Sequence, residues 1–399
     1  MAITQARLLS KNSETYKMKL EQRQWVKSKG WVPERSDSGF DANLVFVFGE
    51  TQALKQNSFL EEMKIAYPKA QIFGCSTAGE IQGTRVYDDT ICTTAIHFSK
   101  TKVQSANIHL VNAEDSFQGG QRLANLLDHE NLTHVFVLSA GLNVNGSDLV
   151  KGMTSVLPKN VALTGGLAGD KANFKETLVI SNGTQSSDLV AAVGLYGNNI
   201  KIGSASLGGW DPFGPKRTVT KSQGNVLYGL DGKSALDLYK TYLGEHAKDL
   251  PGSALLFPLS MRTQGSNDEL VRTILAVDEK EQSMTFAGDI PEGAKVQLMK
   301  ANFDRLIDGA IGAAELSQNL LLNSRPEFAL LVSCVGRKLI LKQRVEEEVE
   351  GVQEILGSKT VMTGFYSYGE ISPSTTSTKC ELHNQTMTIT TLVEDDDAA

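Results

Sequence analysis

At 399 residues the chain exceeds what one hydrophobic core ordinarily organises, so two domains are expected. Its 41% apolar and 21% charged content is that of a soluble globular protein, and a net charge of −7 with scattered basic residues argues against a nucleic-acid groove or an anionic membrane surface. No stretch approaches the roughly 20 apolar residues that span a bilayer, and residues 1–20 lack the apolar core of a secretion signal, which places the protein in the cytoplasm. Cys75, Cys92, Cys334 and Cys380 form no CxxC pair, so neither disulfides nor a structural zinc site is expected.

Residues 1–40 read as an N-terminal helical extension, with a helix over 14–29 stopped by Gly30 and Pro33. A strand over 44–48, a helix over 52–66 and a strand over 71–73 follow. Residues 90–98 and 102–110 then look like paired antiparallel strands about the short polar Ser99-Lys100-Thr101. The plan repeats with helices over 117–129 and 147–157, strands over 134–138 and 161–163, and a hairpin of 178–181 with 188–196 around Asn182-Gly183. Gly208 to Pro215, with two prolines and three glycines, marks a crossing into a second domain. That domain opens on a hairpin around Gln223-Gly224 and a helix over 234–243. It continues with strands over 253–259 and 270–277, and helices over 303–322 and 345–356. The boundaries are therefore 1–40, 41–207, 208–391 and an acidic, solvated tail, 392–399. The fold class is α/β, two domains of mixed sheets.

One phrase recurs: strand, helix, short strand, then a Gly-rich turn ending in Gly-acid. Gly74-Cys75-Ser76-Thr77-Ala78-Gly79-Glu80-Ile81 and Gly364-Phe365-Tyr366-Ser367-Tyr368-Gly369-Glu370-Ile371 keep their glycines five apart. A looser copy, Thr164-Gly165-Gly166-Leu167-Ala168-Gly169-Asp170, slips by one position. Repeats on this scale predict that Gly79, Gly169 and Gly369 occupy equivalent positions in related subdomains, with turns that can surround a shared pocket. Glu80 and Glu370 could form a catalytic pair; the competing account, which we favour, has each cap backbone N–H groups of its own turn.

These turns, together with Trp210 to Pro215, Leu230-Asp231-Gly232 before Ala235, and Glu381 to Thr386, resemble the FIST proteins, which join a FIST N domain (41–207) to a FIST C domain (208–391). The resemblance implies a sensory protein that binds a small ligand and performs no turnover. The absence of a fused kinase or cyclase is similar to the nitric-oxide-sensing group called NosP, which implies haem b and a partner histidine kinase. Within that implication an axial ligand must come from His, Cys, Met or Tyr. His383 shares a strand face with Gln385, Met387 and Ile389 and is the candidate iron ligand. Met387, Tyr366 and Tyr368 are candidates for the same pocket, and Arg262 for a ligand carboxylate. The competing accounts are that His383 hydrogen-bonds the 364–373 turn, that Met387 fills core, and that Arg262 lies on the surface. The run 372–378 would be a loop placed to act as a lid. The alternative function is a FIST sensor of an amino acid or similar metabolite without haem. A third reading is an enzyme using Cys75 as nucleophile. A homo-oligomer is left open.

Overall fold

The computed structural model describes residues 18–33, 40–56, 58–262, 269–322, 324–374 and 379–395. The chain is mixed α/β, and three of its four sheets share one plan. Each has a parallel pair at its centre: Leu44–Gly49 with Gln71–Ser76, Leu132–Ser139 with Ala162–Leu167, and Phe328–Cys334 with Val361–Ser367. Parallel neighbours need a crossover. Helices Ser58–Ala66, Gly146–Thr154 and Val345–Leu356 lie on the three crossovers. An antiparallel strand flanks each pair, Thr90–His97, Leu189–Tyr196 and Met387–Glu394 in turn. An outer strand follows it, Lys19–Val26, Lys102–His109 and Ile200–Leu207.

The hairpin after each parallel pair leaves its own sheet. Glu80–Gln82 and Arg85–Tyr87 extend the third sheet, Gly369–Pro373 and Cys380–His383 extend the second, and Val179–Ser181 and Thr184–Ser186 extend the first. The exchange is cyclic, and three backbone bonds close it: Ala78 N–H to Tyr366 O (2.8 Å), Tyr368 N–H to Leu167 O (3.1 Å) and Gly169 N–H to Ser76 O (2.9 Å). Gly74, Gly165 and Gly364 lie opposite Val47, Val137 and Leu331, where a Cβ would fall 1.9, 1.8 and 1.9 Å from the facing carbonyl oxygen. Only glycine fits there. Counting from these three, Gly79 and Gly369 do correspond, but their counterpart in the middle copy is Asp170. Gly169 instead matches Ala78 and Tyr368. The slip of one residue is thus a real substitution of the acid for the second glycine.

The inner faces of the three sheets meet in one aromatic core. Phe46, from the first, lies 5.6 Å from Phe136 of the second and 5.6 Å from Phe328 of the third, and Phe48 stacks on Phe365 at 4.7 Å. Helices cover the outer faces with separate apolar clusters. The fourth sheet, within Asp211–Lys300, interrupts the third unit and has its own core around Leu227, Tyr239, Met284 and Phe286. Trp210 joins insert to core by donating its indole N–H to Gln385 O at 2.9 Å.

Several sequence expectations change. Within 14–29, the residues from Lys19 to Val26 form a strand paired along its length with Thr90–His97, and Gly30, at φ 71°, starts the returning strand Gly30–Val32; residues 14–17 lie outside the described residues. Thr90–His97 does not pair with Lys102–His109, because both its edges are already taken. Leu189–Tyr196 likewise enters another sheet, and Val179–Ser181 turns back with Thr184–Ser186. The helix expected over 147–157 spans Gly146–Thr154 and is capped by Asn145. Glu394 is no solvated tail: it is buried in a strand, and its carboxylate accepts the N–H groups of Ser99, Lys100 and Thr101 at 2.7, 2.8 and 2.7 Å. Residues 396–399 lie outside the described residues.

Candidate functional site

The central parallel strands of the second unit, Leu132–Ser139 and Ala162–Leu167, both end at one edge of their sheet, the edge at which open α/β sheets bind ligands. A cavity of ≈ 260 Å³ opens there. Its near wall is Gly141, Leu142, Val144 and Leu167, its side is Phe174 and Tyr368, and its far wall is Leu275 with Phe286 to Asp289 of the inserted sheet. Gly141 is required where it stands, since a Cβ would lie 1.9 Å from Ala168 O and 2.9 Å from the Tyr368 ring. Asn145 fastens near wall to far wall: its Oδ1 caps Asp148 N–H at 3.1 Å while its Nδ2 donates to Asp289 Oδ1 at 3.3 Å. Asp289 is also paired with Lys151 at 3.0 Å.

Tyr368 is held from two directions. Its ring stacks on Phe174 with centroids 4.5 Å apart, and its hydroxyl donates to Asp170 Oδ1. Burial pushes the phenol pKa upward, so it stays a neutral donor. The Asp170 carboxylate accepts the N–H groups of Phe174, Lys175 and Glu176 at 2.8, 2.8 and 2.9 Å, shaping the loop that carries Phe174. The cavity is therefore mostly apolar with fixed polar groups at its rim, the usual make-up of a small-molecule site.

The acids of the other two turns are buried and matched. Thr77 Oγ1 and Thr90 Oγ1 donate to Glu80 at 2.5 and 2.8 Å, and Ser367 Oγ and Thr386 Oγ1 donate to Glu370 at 2.6 and 2.9 Å. Burial raises their pKa values to about 7 and about 8. They act on their own turns and on the strand that follows. Gly79 has φ 143°, whereas Gly369 and Gly169 do not adopt positive φ.

A FIST N domain matches residues 43–233 and a FIST C domain matches residues 235–373. The chain is a FIST protein, with both domains. It is similar to an uncharacterised protein of Methanocaldococcus jannaschii, 23% identical over 338 residues that cover 77% of this chain and 62% of the relative. The chain thus spans less than two thirds of the length of that curated relative. FIST domains suggest a signal-transduction sensor of small ligands. Among the described residues, no helix is long and apolar enough to cross a membrane, and no group of three or more His, Cys, Asp or Glu side chains could hold a metal ion.

The structure disperses the residues singled out from the FIST sequence, and only Tyr368 lines the cavity. His383 is buried with Nε2 3.1 Å from Ser372 O, the bond to the turn that competed with the ligand reading. Met387 fills the cluster behind the third sheet. Tyr366 is buried, and its hydroxyl donates to Glu348 Oε1 at 2.6 Å. Arg262 is paired with Glu269 at 3.5 Å in a different, solvent-facing hollow. Placed so, they do not fit a haem: the candidate imidazole nitrogen already faces a carbonyl, and the cavity falls below the roughly 300–1,000 Å³ of drug-sized ligand sites. Cys75 is fully buried and its thiol is pushed well above its ordinary pKa, which removes it as a thiolate nucleophile. Of the segment expected to form a lid, Ser372 and Pro373 lie in a strand, and residues 375–378 lie outside the described residues.

Two buried cations escaped the sequence reading. Arg337 donates to Glu348 Oε2 from Nη2 at 2.7 Å and from Nε at 3.1 Å, with both side chains wholly buried. Arg272 is buried against Leu382 and the loop carrying Asp289. Each has a readable signature. Glu348 falls on the apolar stripe of Val345, Val349 and Val352, and Arg272 ends the short strand Leu270–Arg272 two residues from buried Leu270.

Proposed function

We propose that this FIST protein senses a small organic metabolite, without haem, in the cavity between the second unit and the inserted sheet. The supporting observation is the composition of the wall. Strand ends of the second unit, Tyr368 from the third turn and Phe286 to Asp289 from the insert all contribute, so a ligand there contacts three parts of the chain at once. A ligand that binds one arrangement of those parts better than another shifts their balance. The output then passes to a partner, a histidine kinase in the reading that the resemblance implies. Haem-based nitric oxide sensing is the finer form of that reading, and it requires His383 to leave Ser372 and a larger space to open beside it.

The test is a thermal-shift screen of the full chain against a metabolite library, repeated on Leu142→Trp, which fills the cavity from its near wall. Hits that stabilise the wild type and not the variant are expected. Equal shifts in both proteins, or a Soret band of stoichiometric haem that vanishes in His383→Ala, would overturn the proposal.

A further inference from the structure

We infer that a hollow on the outer face of the inserted sheet binds the phosphate group of a small phosphate monoester, as a second site independent of the cavity. The hollow, of ≈ 120 Å³, has Lys216, Ser260, Arg262, Glu269, Lys295 and Gln297 in its lining. All but Glu269 come from three neighbouring strands, Asp211–Gln223, Leu259–Arg262 and Lys295–Lys300. Leu259, Met261, Val296 and Leu298 point into the core of the insert, so the residues alternating with them face outward. On that outer face Arg262 stands directly opposite Lys295, and Ser260 directly opposite Gln297. Like charges placed across a strand pair repel. Three cations against one acid leave two positive charges in excess, on a chain whose net charge is −7.

These charges are not consumed within the hollow. Arg262 meets Glu269 at 3.5 Å with both side chains nearly half exposed, the kind of surface pair that contributes little. Lys295 Nζ donates to the neutral Thr218 Oγ1 at 2.6 Å, and among the described residues neither Lys295 nor Lys216 forms an ion pair. The field of Lys295 reaches Asp231, but that carboxylate is held by Arg217 at 3.1 Å and by Thr218 N–H at 2.8 Å. Lys216 is placed in the hollow by a bulge. Phe213 faces Leu298 and Arg217 faces Val296, so Gly214, Pro215 and Lys216 together oppose the single residue Gln297. Gly214 takes φ 73° to begin the bulge, and Gln297 Nε2 fastens it by donating to Gly214 O at 2.7 Å. The Gly- and Pro-rich run that crosses into the second domain thus ends by setting a lysine beside the Arg262–Lys295 pair, and bulges are how strands re-aim a side chain at a site. A phosphate monoester near neutral pH carries roughly two negative charges and three strong acceptor oxygens, which matches the excess charge, the guanidinium fork and two ammonium groups. A carboxylate brings half that charge. The hollow is far smaller than the roughly 300–1,000 Å³ of drug-sized sites, so it holds the charged group and leaves the body of the molecule outside.

The experiment titrates the full chain by calorimetry at about pH 7.5 and about 20 mM salt, with glycerol phosphate, inorganic phosphate and acetate as probes. One saturable site for glycerol phosphate is expected, with inorganic phosphate binding no more tightly and acetate giving no saturable heat. Arg262→Gln should weaken glycerol phosphate at least about tenfold, and Glu269→Gln, which removes the competing acid, should tighten it. Lys102→Gln makes the same change of charge on the second sheet and should leave the affinity within about twofold, as should Leu142→Trp in the cavity. No saturable binding would overturn the inference, as would acetate binding as tightly as the monoester. A loss in Lys102→Gln as large as in Arg262→Gln would overturn it too, by reducing the effect to net charge. Binding of inorganic phosphate alone would rule out the monoester, and loss of binding in Leu142→Trp would place the monoester in the cavity instead.

Discussion

Glu370 gives the sharpest test of the buried turns. Its carboxyl is fully buried, accepts Ser367 Oγ, Thr386 Oγ1 and Thr386 N–H, and has a pKa raised by burial from 4.5 to about 8. An acid whose pKa is raised on folding holds its proton in the native state and releases it on unfolding. Its contribution is fully present below pH 4.5 and is lost as pH rises to about 8. Between pH 5.5 and pH 8 this one group should remove about 3 kcal/mol of stability, and Glu80, with a pKa of about 7, about 2 kcal/mol. Glu370→Gln keeps a neutral hydrogen-bonding group of the same shape and cannot titrate. Urea unfolding across that range should show a wild-type fall about 3 kcal/mol steeper than that of the variant. His134, whose pKa burial pushes down to about 3, adds an opposite trend below pH 6.5 in both proteins and cancels in the comparison. Identical falls in wild type and variant would show that the Glu370 proton is not held as its burial requires.

Gly364→Ala places a methyl 1.9 Å from Leu331 O, so the third parallel pair must separate; loss of at least about 3 kcal/mol, or failure to fold, is expected in the same urea assay. Glu348→Gln strands Arg337 in the core and should cost about 3–5 kcal/mol, whereas Arg337→Met with Glu348→Leu should recover much of that loss. His383→Ala removes the bond to Ser372, so the variant should fold, lose at least about 1–2 kcal/mol and show the same visible absorbance as the wild type after incubation with haem. A Soret band present in the wild type and absent from the variant would refute that statement.

Local signals carried most of the secondary structure. The helix at residues 345–356 and the hairpin around Gln223-Gly224 follow from periodicity and turn residues, and both are present with those bounds or nearly so. Pairing was not legible, because the hairpins cross between sheets and nothing within Leu189–Tyr196 records that its neighbours are Leu132–Ser139 and Lys102–His109. The repeated glycines were legible as a repeat, but only the carbonyls of Val47, Val137 and Leu331 show which glycine is the anchor. The strand at Lys19–Val26 was missed because its mixed polar and apolar residues are mostly half-buried and carry no clean alternation. His383 drew attention through its apolar neighbours, yet the cavity lies at Gly141, Phe174 and Gly288, three loops that meet only after the insert folds back on the second unit.

Native mass spectrometry of the full chain, after exposure to a cell metabolite extract, tests the central claim most directly. The wild type should carry one adduct of a small organic metabolite, and Leu142→Trp should carry none. An adduct unchanged by Leu142→Trp, or haem as the bound species, would contradict it.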